Sequence, residues 1–187
     1  MPMVDHAALP PEEAQRRHEA VVARHGEVLE RLRARTAGEV DLDGSRDSLV
    51  PLWRWAVARL GEPDAGGDPA GAGLPPWFVR GDDPRETAFP NGMFVLADEL
   101  GHYLDEVALR TVPGARWRLV GERDGVRMAD FQRSGVALGQ ADLVGPDVAW
   151  TMCLRARKGR DTHDTALFDV FRRRVAHVDG GAAADRP

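Results

Sequence analysis

The chain has 187 residues, 43% of them apolar and 29% charged, values typical of a globular protein and enough for one domain to bury roughly 70% of its unfolded surface. A formal net charge of −5 argues against general affinity for nucleic acid or an anionic membrane, because both need a basic field. A single cysteine, Cys153, excludes an internal disulfide and a cysteine-based zinc cluster, each of which needs several thiolates. The first thirteen residues carry Asp5, Glu12 and Glu13 and no apolar run, unlike a signal peptide. No stretch approaches the ~20 apolar residues of a membrane span. The expectation is a cytoplasmic protein folded as one α+β domain over residues 1–178, with a disordered tail at 179–187.

Pro10 and Pro11, followed by Glu12 and Glu13, read as a helix start, since proline suits the first turn and carboxylates favour the positive end of the helix dipole. The predicted helix runs to about Ala37 on one narrow apolar stripe of Val21, Val22, Val28, Leu29 and Leu32. His18 and His25, two turns apart, are expected to face water. Ser48 is the expected N-cap of a second helix, Leu49 to Leu60, with Leu49, Leu52, Trp53, Ala56, Val57 and Leu60 on its core face. Residues 61–76 contain nine Gly or Pro among sixteen and read as a flexible surface loop. Leu74-Pro75-Pro76-Trp77-Phe78-Val79 is then extended.

A third helix is expected from Gly92 to Thr111, with Met93, Leu96, Ala97, Leu100, Tyr103, Leu104, Val107 and Ala108 forming the broadest apolar stripe. Beyond Pro113-Gly114 the period turns to alternation. Trp117 to Leu119 and Val126 to Met128 flank Asp124-Gly125, a hairpin signal. Further strands are predicted at Val136 to Leu138 and at Val148 to Leu154, where Val148, Trp150, Met152 and Leu154 alternate with the residues between them. A last helix covers Asp164 to Val178. Helices, then three or four antiparallel strands, then a C-terminal helix make an α+β fold.

Four groups of residues are candidates for function. Asp98, Glu99, His102 and Glu106, with Asp105, sit three and four residues apart on the third helix, a spacing at which carboxylates and an imidazole can share a metal. No second Glu-x-x-His exists to complete a carboxylate-bridged pair of metals, so the favoured reading is a polar face turned to water. Cys153, in an apolar alternating stretch, lacks the electropositive, exposed setting of a reactive thiol. Arg155, Arg157, Arg172 and Arg173, with Lys158, Arg160 and Arg174, could hold phosphate or an acidic partner. Trp55 lies roughly 200° around its helix from Trp53, which, with Trp77 and Phe78, offers an aromatic surface for a partner unless the extended segment covers it. No phosphate loop, dinucleotide fingerprint or serine elbow is present, so no cofactor is expected.

Leu52-Trp53-Arg54-Trp55, Leu-Pro-Pro-Trp-Phe at 74–78, Gly101-x-Tyr103-Leu104-x-Glu106 and Pro113-Gly114-Ala115-Arg116-Trp117 resemble a family of small uncharacterised actinobacterial proteins over about residues 48–154. That likeness implies no activity. Leu-Pro-Pro-Trp-Phe with Asn91-Gly92 also resembles elements of SUKH-type immunity proteins, which neutralise toxins by binding. With no catalytic constellation, the expected function is a non-catalytic protein-binding module, an immunity or accessory protein whose partner is not identified. The alternatives are a metal-dependent enzyme at the helical cluster and an anion or nucleic-acid binder at the arginines.

Overall fold

The computed structural model describes residues 6–60, 75, 91–122, 131–139 and 141–184, with side chains to residue 176. A 3-10 turn at His6–Ala8 leads into α1 (Pro11–Thr36), α2 (Leu49–Arg59) and α3 (Asn91–Thr111). Three short strands follow, β1 (Arg116–Leu119), β2 (Ser134–Leu138) and β3 (Ala141–Leu143), and then α4 (Gly145–Arg157) and α5 (Ala166–Ala184). The strands form one antiparallel sheet in the order β1-β2-β3, with Trp117 opposite Val136 and Val136 opposite Leu143. The fold is α+β, as expected, with a C-terminal helix. No helix is long and apolar enough to cross a membrane among the described residues.

The broad apolar stripe of α3 makes it the central element: it packs on α4, α1 and β2, and Leu100, Leu104, Val107 and Ala108 are fully buried. Gly101 is what lets α4 come close. A Cβ there would lie 2.4 Å from backbone atoms of Pro146, and one on Gly145 would lie 2.1 Å from the Gly101 carbonyl oxygen. The two backbones therefore touch with no side chain between them. Leu167, Phe171 and Val175 of α5 complete the core with Leu49, Leu52 and Trp53 of α2.

Several expectations are corrected. The segment from Val148 to Leu154 is the body of α4 rather than a strand. Its start carries Pro146 and Asp147 in the first turn, and its buried positions Ala149, Met152, Cys153 and Ala156 recur at three and four; the alternating apolar residues sit on a helix buried on more than one side. Cys153 is consequently a core residue, and burial pushes its thiol up to about 12. Residues 179–184, expected to be part of a disordered tail, continue α5, consistent with the high helix propensity of alanine. Ser48 does occupy the N-cap of α2, yet its hydroxyl caps nothing; it donates to the Ser45 carbonyl at 2.6 Å and meets the Tyr103 hydroxyl at 2.6 Å. Val126 to Met128, Trp77, Phe78 and all of the 61–76 loop but Pro75 lie outside the described residues.

Candidate functional site

Along α1, Arg24, Arg31 and Arg35 fall at intervals of seven and four, and so line one side of the helix. That side meets Asp98 and Glu99 of α3. Arg24 grips Asp98 with two hydrogen bonds of 3.0 and 3.2 Å, Arg31 donates to Glu99 at 2.8 Å, and Arg35 donates to the other Glu99 oxygen. Both carboxylates are fully buried. Burial pushes the Glu99 carboxyl above its usual range despite Arg35 and Arg31.

The imidazoles lie farther along the same seam. His25 Nδ1 is 2.9 Å from His102 Nδ1, so one hydrogen is shared between them, and His25 Nε2 is 3.1 Å from Glu106. Burial opposes ionisation of Glu106, but hydrogen bonds from His25 and Arg110 outweigh it and hold the carboxyl below its ordinary value. Trp117 sets its ring edge-on to His25, with centroids 5.1 Å apart. His102 is 1% exposed; its Nε2 lies 3.8 Å from Asp98 and has no hydrogen-bond partner among the described residues. Loss of solvation lowers its pKa to about 4. Asp105 turns the other way, toward α4, and accepts the Gly145 N–H at 3.1 Å. Complete burial raises its pKa well above the usual carboxylate value.

The expected water-facing polar face of α3 is thus an interior seam, because α1 supplies arginines that compensate the carboxylates. Those same contacts bear on the metal reading. Asp98, Glu99 and Glu106 spend their oxygens on arginine or histidine, and no group of three or more His, Cys, Asp or Glu is arranged to hold an ion among the described residues. His18 and His25, expected in water, both make tertiary contacts: His18 Nδ1 is 2.9 Å from Ser134 Oγ. A small cavity of about 50 Å³ lies there, with Ala14, Arg17, His18, Val21, His102, Ser134 and Pro146 in its wall.

Trp55 is also corrected: it is 4% exposed and lies beneath two guanidinium groups, Arg59 at 4.3 Å and Arg35 at 5.7 Å from its ring centroid. It offers no partner surface.

The arginine cluster divides. Arg155 and Arg173 reach a cleft of about 460 Å³ between α4 and α5, together with Arg133 and Arg174. Arg157 instead contacts the Met93 sulfur at 3.8 Å, and Arg172 pairs with Asp169 at 3.2 Å. Three aspartates line the cleft, and each has a cation: Asp142 has Arg118, Asp147 has Arg133, and Asp161 has Arg155. Arg173 and Arg174 are exposed and have no hydrogen bond or ion pair among the described residues. Val144, Val148, Trp150, Met152 and Val170 complete the lining, and Trp150 is held by stacking on Phe94 at 4.6 Å.

No family model, no curated protein and no solved structure matches this chain. The geometry therefore stands alone. Arg133 and Ser134 were not singled out from sequence, since they are distant from α1 in the chain and meet it only when β2 pairs with β1; Arg174 belonged to the expected arginine cluster, and His18 was expected to face water. The arginines of α1 did carry a signal, a basic stripe at seven and four whose charge complements the adjacent Asp98 and Glu99 on α3.

Proposed function

We propose that this chain is a binding module that takes an acidic ligand, bearing carboxylate or phosphate groups, in the cleft between α4 and α5. The observation that carries this reading is the pair Arg173 and Arg174. They are two guanidinium groups with no hydrogen bond or ion pair among the described residues, on the wall of a cleft whose carboxylates form ion pairs with other arginines, and Arg173 meets Asp161 only through its longer-range field. Guanidinium forks bind carboxylate and phosphate through paired hydrogen bonds, and the apolar floor around Trp150 gives a ligand area to bury. An overall charge of −5 leaves this cleft as a local basic site, which favours a compact acidic group over a polyanion. The resemblance to immunity proteins makes an acidic patch of a protein partner one source of such a group; a free multiply charged anion is the other.

Binding of a fluorescein-labelled hexaglutamate peptide and of inorganic pyrophosphate, measured with wild-type protein and the Arg173→Ala/Arg174→Ala variant, tests the reading. Binding of the peptide alone assigns the site to a protein partner; binding of both assigns it to anions in general. In either case the variant is expected to bind at least ten times more weakly, with a shallower dependence on salt. If neither probe binds, or if the variant binds as well as the wild type, the cleft is not the site.

A further inference from the structure

The smaller cavity has the cleft's Arg133, Val144 and Asp147 in its wall but a different chemistry. Ser134 opens β2 and is fixed by pairing with Leu119 of β1. His18 lies two turns into α1, and its Nδ1 is 2.9 Å from the Ser134 oxygen. Both residues line the cavity and both stand on regular elements, which hold a reacting pair more tightly than loops do.

We propose that Ser134 is an activated nucleophile, with His18 as its base, able to accept an acetyl-sized acyl group from a small ester. A serine hydroxyl is a weak nucleophile alone, and an imidazole within hydrogen-bond reach activates it by taking the proton as the new bond forms. Loss of solvation lowers the His18 pKa, so the ring is in its basic form at neutral pH. Ala14, Val21 and Pro146 give the cavity apolar sides. Its volume of about 50 Å³ is room for a few atoms, given roughly 10–15 Å³ per water on the same measure. The guanidinium groups of Arg17 and Arg133 also line it, fixed by Glu13 and Asp147, and supply positive charge for a developing oxyanion.

In the acyl-transfer step the Ser134 Oγ–carbon bond forms and the hydroxyl proton passes to His18 Nδ1. The ester carbon–oxygen bond then breaks, and the departing alkoxide takes that proton. Water, the second reactant, adds to the acyl carbon and gives its proton to His18, and Ser134 leaves with it, releasing the acid. His102 also lines this cavity, and its buried Nε2 has no hydrogen-bond partner among the described residues, so it offers an acceptor for that water.

Methanesulfonyl fluoride, whose sulfonyl group is close to acetyl in size and so suits a cavity of about 50 Å³, tests the nucleophile directly: the Oγ–sulfur bond forms, the hydroxyl proton passes to His18, fluoride leaves, and the adduct does not hydrolyse. Peptide mapping by mass spectrometry is expected to find one adduct, on Ser134. It should be absent from Ser134→Ala and form at least about 100-fold more slowly in His18→Gln, the usual scale of a lost base. Wild-type protein that stays unmodified at Ser134 overturns the proposal whether or not either variant folds, as does a His18→Gln protein labelled at the wild-type rate. The Arg173→Ala/Arg174→Ala variant should label normally, which separates this site from the acidic-ligand cleft.

Discussion

Lowering the pH should weaken this protein through His102 by an amount that its burial sets. An unperturbed histidine titrates near 6.5, whereas burial holds His102 at about 4. Above the unfolded value the ring is neutral in both states and the seam carries no penalty. As pH falls below 6.5 the unfolded chain takes up the proton and the folded one does not, so stability is lost progressively until the folded ring also titrates near 4. Two and a half pKa units at about 1.4 kcal/mol each amount to roughly 3 kcal/mol. Glu99 and Asp105 act in the opposite sense. Their raised folded values make the native state bind protons first, so acidification relieves part of the cost of burying them. The comparison must therefore isolate His102. In His102→Asn a non-titrating amide reaches about as far as Nδ1, leaving His25 a partner. Urea denaturation of both proteins between pH 7.5 and pH 4 should show the wild type losing about 3 kcal/mol more than the variant. At a typical slope of roughly 2 kcal/mol per molar, that is an extra midpoint shift of about 1.5 M. Parallel profiles would refute the assignment of a buried, neutral imidazole to this position.

Three further outcomes check the packing. Gly101→Ala places a methyl 2.4 Å from the Pro146 backbone, where no flexible side chain can yield, and should cost at least about 1–3 kcal/mol in thermal or urea denaturation. Tyr103→Phe removes the acceptor of the Gly44 N–H at 3.0 Å and the partner of Ser48; leaving those buried groups unmatched should cost about 1–3 kcal/mol with no change in helical circular dichroism. Cys153, fully buried with its thiol pushed up to about 12, should resist Ellman's reagent in the native state and react at once in urea.

Much of the architecture was legible in the sequence, because the helices α1, α2 and α3 announce themselves through apolar residues three and four apart, and α1 and α2 also through Pro11 and Ser48 at their starts. The failures have a common physical origin. Val148, Trp150, Met152 and Leu154 alternate like a strand because α4 is enclosed on several sides, and an enclosed helix loses the amphipathic contrast on which the period rests. Asp98, Glu99 and His102 were read as solvent-facing for the opposite reason: polarity normally marks the wet side, and here the matching cations lie some seventy residues earlier, on α1. Ser134 and His18 are 116 residues apart and belong to no local motif, so only the closed fold brings them together. Trp55, expected to lie off the apolar stripe, belongs instead to the buried core, with the guanidinium groups of Arg35 and Arg59 over its ring.

The seam between α1 and α3 has a mechanical consequence. Around Arg24, Arg31 and Arg35 α1 is fastened by charge, and hydrocarbon secures it at Ala14 and near Val28, Leu29 and Leu32. Concentrated electrolyte weakens ionic fasteners and strengthens apolar ones. In brine the turns of α1 around Arg24, which lie between those apolar anchors, should therefore surrender their amide hydrogens to exchange well before α3 and α4, whose backbones are locked together at Gly101, loosen at all.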